Sequence, residues 1–206
     1  MKIGIFGGTF NPIHFGHLRG AEEVRENLKL DKVIFIPSGI HPLKNNDIAE
    51  SFHRYNMTVL ATEDNPYFEV SDYEIKINSP SYSVNTLMHF KKLYESNTLL
   101  FIIGVDSFLE LPRWHKPEKI LKMVDIIVMS RPGYNNFENS EFIESRIGEG
   151  CYSLKNSDRK LYFLKISPFF YSSSDLRRLL RNGRSVRYLL PQKVYEYIED
   201  NKLYRE

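Results

Sequence analysis

What most restricts the fold of this chain is a repeated arrangement of short, β-branched apolar runs, each closed by glycine or proline and each followed by a longer stretch of helical period. Residues 2–6 run into Gly7-Gly8, 32–36 into Pro37-Ser38-Gly39, 98–103 into Gly104, and 125–129 precede Arg131-Pro132-Gly133. Between them, residues 16–28 place Leu18, Ala21, Val24 and Leu28 on one helical face, and residues 83–94 do the same with Val84, Leu87, Phe90 and Leu93. Residues 51–62 read as a further helix, 68–77 as extended chain and 161–166 as a sixth strand. Strand alternating with helix predicts an α/β fold whose parallel sheet is covered on both faces.

The end of the chain reads differently. Residues 174–181 form a short helix closed by Asn182-Gly183, and Pro191 opens a last helix through Ile198. Residues 1–170 are therefore expected to form the sheet domain and 171–206 a small helical subdomain. The stretch 134–157, rich in Asn, Glu and Ser, is expected to be a mobile excursion.

Composition limits the functional classes. A formal charge of +2, from 28 basic and 26 acidic side chains, gives no general basic face for nucleic acid or a membrane surface. No apolar run approaches a membrane span, and the first residues turn into glycines too soon for a signal peptide, so a soluble cytoplasmic protein is expected. Cys151 is the sole cysteine, which rules out an internal disulfide or a multi-cysteine metal site.

The chemistry is concentrated where the first strand ends, in Gly7-Gly8-Thr9-Phe10-Asn11-Pro12-Ile13-His14-Phe15-Gly16-His17. Two glycines let the backbone approach an anion, and the helix that follows offers unpaired N–H groups. Spaced three apart, His14 and His17 fall on one side of that helix and can hold charge developing on phosphorus between them. Taken alone, the pair also fits metal ligands or ordinary loop polarity. The glycines lack the Lys-Ser/Thr of a Walker loop. Near the other end, Ser172-Ser173-Ser174-Asp175-Leu176-Arg177 sets three hydroxyls at a helix start with an arginine in the first turn. That is an anion site, or else a helix cap followed by a surface arginine.

Together these segments resemble the GGxFxPxHxGH and ISSTxIR motifs of the HxGH nucleotidyltransferase superfamily. The resemblance extends over nearly the whole chain to the bacterial nicotinate-nucleotide adenylyltransferases. Arg54-Tyr55-Asn56-Met57, Pro80-Ser81-Tyr82-Ser83-Val84-Asn85-Thr86-Leu87, Ile103-Gly104-Val105-Asp106-Ser107, Ser130-Arg131-Pro132-Gly133 and Leu189-Leu190-Pro191 match family elements in order. Trp114 stands at the spacing of that family's pyridine-stacking tryptophan. The chain departs from the pattern at His41-Pro42-Leu43-Lys44, where Leu43 takes the place of the family histidine, and it carries Asn11 and Ser174 for the commoner Asp and Thr.

The resemblance implies a Rossmann-like, doubly wound parallel sheet and adenylyl transfer from ATP to nicotinate mononucleotide. The products are nicotinate adenine dinucleotide and pyrophosphate, in a step of NAD biosynthesis. Gly7, Gly8, Thr9 and Phe10 would line the ATP site with Gly104, Asp106 and Arg131. Catalytic contacts to the phosphates would come from His14, His17, Lys44 and Arg177, aided by Ser172 and Ser174. Arg54, Tyr82, Thr86 and Trp114 would hold the mononucleotide. Magnesium would accompany ATP, held by phosphates and water and not by a protein cage. His41, His53, His89 and His115, with Arg178, Arg181 and Arg184, receive no assigned role. Nucleic acid and membrane are not expected as partners, and a homo-oligomer is left open. Other readings are the same chemistry on nicotinamide mononucleotide or phosphopantetheine, and a non-catalytic module that senses nucleotides.

Overall fold

A computed structural model describes residues 1–40, 48–77, 79–134 and 137–205. Its strands are β1 (Lys2–Gly8), β2 (Lys32–Pro37), β3 (Phe68–Val70), β4 (Thr98–Gly104), β5 (Asp125–Met129), β6 (Ile143–Gly148), β7 (Cys151–Leu154) and β8 (Ser157–Leu164). Its helices are α1 (Phe15–Leu28), α2 (Ser51–Thr62), α3 (Ser83–Leu93), α4 (Val105–Leu109), α5 (Pro117–Met123), α6 (Ser173–Arg181) and α7 (Gln192–Asp200). One sheet runs in the order β3-β2-β1-β4-β5-β8-β7-β6. Pairing is parallel from β3 across to β8 and antiparallel for β7 and β6.

The two-residue period of the strands feeds two separate cores. Ile3, Ile5, Ile34, Ile36, Phe101, Ile103, Ile126 and Val128 face one side, where Val84, Leu87 and Phe90 of α3 and Ile120 of α5 cover them. Phe6, Val33, Phe35, Leu100, Ile102, Ile127 and Met129 face the other, under α1 and α2. Such strands, buried on both faces, are the near-continuous apolar runs read from the sequence. Chain order reverses between β1 and β4, so the loops leaving their carboxyl ends diverge and open a crevice there.

Two expectations are corrected. Extended chain was expected over 68–77, but the strand stops at Val70. After Ser71 N–H reaches Phe35 O, the backbone turns, with Lys76 N–H bonding Asp72 O at 3.1 Å. The stretch 134–157 was expected to be a mobile excursion, yet β6 and β7 form a hairpin that extends the sheet beside β8. Phe137 anchors it by stacking on Phe163 at 3.9 Å, and Tyr152 and Leu154 point into the core.

Residues 171–205 pack on the second core. Leu176, Leu180, Val194 and Ile198 are buried with Phe10, Ile13 and Val24. The Tyr197 hydroxyl meets Asn56 Nδ2 and His53 Nδ1 on α2, at 3.0 and 2.9 Å. Because Ile198 shares the core of α1 and α2, Ile198→Ala is expected to lower global stability by about 2–5 kcal/mol within a single cooperative transition. Thermal and urea melts check this. A separate early transition of the tail alone would contradict the shared core.

Candidate active site

The crevice above β1 and β4 is a cleft of about 1260 Å³, larger than the roughly 300–1,000 Å³ of a pocket for one small molecule. Gly7, Gly8, Thr9, Phe10, His14 and His17 line the cleft. So do Gly104, Asp106, Arg131, Ser172, Ser174 and Arg177, and at the opposite end Tyr82 and Trp114.

The geometry of the histidines is local in origin. His14 is the N-cap of α1, with extended backbone (φ −149°, ψ 172°). Its Nδ1 accepts the Gly16 N–H at 3.1 Å, and His17 Nδ1 accepts the His14 N–H at 3.2 Å. The two imidazoles thus do for each other what Ser and Glu do in an ordinary capping box. A neutral ring accepting at Nδ1 carries its proton on Nε2, so each histidine keeps one N–H donor. Burial, and after it the charge of Arg131, push His17 down to about 3. Burial and the neighbouring His17 hold His14 well below its ordinary value. Both rings are neutral near pH 7.

Aromatic packing fixes the rings further. His14 lies between His17, at a centroid distance of 3.8 Å, and Phe169, at 5.1 Å and 17°. The edge of Phe10 meets His17 at 5.2 Å. Gly16 leaves the room this stack needs, since a Cβ there would lie 2.7 Å from Phe169 Cδ1 and 3.0 Å from His14 Nδ1.

Phe169 belongs to the stretch after β8, which is pinned at several points. Glu23 of α1 accepts the Ser167 N–H at 2.8 Å and Arg19 Nε at 2.6 Å. The Ile166 N–H bonds Ser130 Oγ at 3.0 Å. At the start of α6, Ser172 and Asp175 form a capping box, and the Ser173 hydroxyl donates to Pro12 O at 2.9 Å. Arg177 reaches back to Asn11 O at 2.8 Å and to Ser174 Oγ at 3.3 Å. The two expected phosphate motifs are therefore joined to one another.

Between β4 and β5, Asp106 and Arg131 pair at 2.5 Å with about a third of each side chain exposed. At the far end, Trp114 packs against Phe101 (6.3 Å), and Tyr82 against His115 (4.6 Å). Two expected ligand residues lie behind the lining. Arg54 is 1% exposed and donates to Ala49 O, Thr9 O, Gly39 O and Ser38 Oγ at 2.9, 2.8, 3.0 and 3.3 Å. Thr86 is buried and donates to Glu74 Oε1 at 2.5 Å. Lys44 and His41 fall outside the described residues. Reading the sequence missed Glu74, His115, Phe169 and Tyr171, all of which line the cleft. Only His115, next to Trp114, carried a local signal.

The fold and this cradle of N–H and hydroxyl donors define a nucleotidyltransferase, and the cytidylyltransferase-like family model matches residues 5–179. The chain is 43% identical over its full length, and the relative's, to "probable nicotinate-nucleotide adenylyltransferase" of Caldicellulosiruptor saccharolyticus. It is 40% identical to the protein of that name from Thermoanaerobacter sp., covering 100% of this chain and 95% of the relative. The chain belongs to the nicotinate-nucleotide adenylyltransferase family. Among solved structures, Plasmodium falciparum nicotinic acid mononucleotide adenylyltransferase complexed with NaAD has the same fold (TM-score 0.77, 20% identity, 98% and 97% of the two chains covered).

The buried, neutral state of His17 has a consequence for stability. Its folded pKa lies below the unfolded value, so the unfolded chain takes up the proton first. That contribution is intact above about pH 6.5 and is lost as pH falls toward 3, at up to about 1.4 kcal/mol per unit. Chemical denaturation between pH 7 and 4 should show a shallower decline for His17→Asn than for the wild type. Parallel declines would mean that the ring is not held neutral.

Proposed function

We propose that this chain transfers AMP from ATP to nicotinate mononucleotide, releasing pyrophosphate and forming nicotinate adenine dinucleotide. The observation that carries this reading is the pair of neutral, Nε2-protonated histidines facing the α6 helix start in the same cleft, with a tryptophan wall at its other end. Full-length similarity to the family supports the choice of acceptor.

The nucleophile is a phosphate oxygen of the mononucleotide, ionised at neutral pH, so no general base is required. It attacks the α-phosphorus, the bond to the bridging oxygen breaks, and pyrophosphate leaves with the electron pair. Rate comes from alignment and from donors aimed at the charge that grows on the phosphoryl oxygens. His14 and His17 donate through Nε2, and His17 is assigned the larger share in the transition state. Arg177, Ser174 and Ser172 from the α6 start, with Lys44, complete the phosphate shell. Gly7, Gly8, Thr9 and Phe10 let the chain approach the nucleotide. Asp106 accepts a ribose hydroxyl once it exchanges part of its bond to Arg131, and Gly104 and Arg131 border the adenosine. Trp114 stacks on the pyridine beside Tyr82. Arg54 and Thr86 act on this end through the loops they hold.

Magnesium belongs to this reading as part of the substrate. The imidazole Nδ1 lone pairs are already taken by backbone N–H groups, and of the carboxylates lining the cleft Asp106 pairs with Arg131 and Glu74 accepts from Thr86. Among the described residues, no three His, Cys, Asp or Glu side chains gather to hold a metal ion. In this reading the cation would be held by phosphate oxygens and water, and would offset charge on the leaving pyrophosphate. We also propose 1–170 as the nucleotide-binding part and 171–206 as the part that completes the phosphate site. A cytoplasmic location goes with use of ATP. Among the described residues, no helix is long and apolar enough to cross a membrane.

Pyrophosphate release by the purified chain with ATP and magnesium tests the reaction. Rapid release with nicotinate mononucleotide and slow release with nicotinamide mononucleotide is expected, and none with either would refute it. His17→Ala should lower kcat roughly a hundredfold or more, the scale for losing a transition-state donor. Near-normal turnover would remove it from the mechanism. Trp114→Ala should raise KM for the mononucleotide and leave that for ATP nearly unchanged, and an equal rise for both would place Trp114 elsewhere.

A further inference from the structure

Glu74 has no part in the phosphate chemistry, yet it lines the same cleft with 6% of its surface exposed. The turn that follows β3 carries it inward, next to Ser81, Tyr82 and Ser83 at the end of the cleft opposite α6. Burying a carboxylate is costly unless donors surround it. Here the Thr86 hydroxyl donates to Oε1 at 2.5 Å. Beside it the Gly39 N–H donates to Ser81 Oγ at 2.9 Å. Burial pushes the carboxyl above the usual carboxylate range, against the influence of Thr86, Ser81, Gly39 and the charge of Arg54.

These groups come from separate segments. Ser81 and Thr86 bracket the start of α3, Gly39 lies in the loop after β2, and Arg54 lies on α2. Arg54 in turn bonds Thr9 O in the loop after β1, at 2.8 Å. Backbone contacts close the assembly: the Ser81 N–H donates to Ile40 O at 2.8 Å. A Cβ on Gly39 would lie 2.1 Å from Glu74 O, so the loops touch backbone to backbone.

We infer that Glu74 is a positioning residue for the acceptor mononucleotide. The hydrogen bond its carboxylate accepts from Thr86, next to the Gly39–Ser81 bond, ties the first turn of α3 and the loop after β2 into one rigid wall. Tyr82 and Ser83, which face the cleft, are presented by that wall. The ATP half is held by a different set of bonds, those of Glu23, Ser130, Ser173 and Arg177. The link between them is the bond from Arg54 to Thr9 O, so loosening the Glu74 wall with Arg54 intact acts chiefly on the acceptor side. This inference rests on the acceptor reading above.

Steady-state kinetics of the full chain with ATP, magnesium and nicotinate mononucleotide test it. Glu74→Gln keeps size but replaces one acceptor oxygen by a donor. It should raise KM for the mononucleotide roughly tenfold, with KM for ATP within about twofold of wild type and kcat little changed. Thr86→Val, which needs no change in buried charge, should raise the same KM, and the double variant should be no worse than the more affected single one. Melting curves identify any variant that fails to fold, and in that case Thr86→Val alone decides by its own KM split. Unchanged KM values, or equal rises for both substrates, would overturn the role of Glu74 while leaving the reaction standing. A wild-type chain that turns over no mononucleotide would remove both.

Discussion

At the start of α1 the backbone of one turn and the rings of His14 and His17 satisfy one another, and the rest of the site is arranged around that exchange. A helix start leaves N–H groups without intrahelical partners, and most chains satisfy them with a hydroxyl or carboxylate. Here imidazole Nδ1 atoms do so, which fixes two rotamers and two tautomers together. The cap thereby sets the polarity of the site: both rings must turn their Nε2–H donors away from the helix. Phe10, Phe169 and the absence of a side chain at Gly16 then leave the rings little freedom to turn.

Burial gives this arrangement its electrostatic character. A protonated imidazole in the same place would face Arg131 and lose its hydration, so the neutral form prevails. Positive charge is carried instead by Arg131 and Arg177, whose guanidinium groups bond to Asp106 and to the Asn11 carbonyl. The cleft therefore pairs fixed neutral donors with cationic groups at its rim, a combination that suits a polyphosphate whose charge shifts during reaction.

The sequence disclosed the parts whose signals are local. The runs of β1, β2, β4 and β5 were legible because burial on both faces leaves no polar alternation to confuse them. The β6–β7 hairpin was not, since Ile143–Gly148 is largely exposed and reads as loop composition. The extended reading of 68–77 failed after Val70, where the backbone turns and Lys76 N–H bonds Asp72 O, a local turn that no apolar alternation announces. In the site, His14 and His17 were legible because a cap involves neighbours. Phe169 meets His14, and Glu74 meets Thr86, only after the sheet has formed, and no spacing in the chain announces either contact. Arg54 shows the converse: its motif was visible, but nothing in the motif announces that its guanidinium is buried among loop carbonyls.

That clamp explains how the cleft keeps its shape where three loops meet. The Arg54 guanidinium is pushed down to about 10 by burial yet remains charged near neutrality, with backbone and hydroxyl oxygens around it and the charge of Glu74 in reach. Replacing such a buried charge by an apolar group of the same shape need not lower stability, since burying the charge is itself costly. What apolar groups cannot supply is direction. Each hydrogen bond from Arg54 names one oxygen in one loop, so the loops after β1 and β2 and the chain entering α2 hold a single relative position. The two ends of the cleft thus rest on different groups, neutral histidines and helix starts at one and the buried Arg54 and Glu74 at the other. The loop after β1, bonded by both Arg54 and Arg177, joins them.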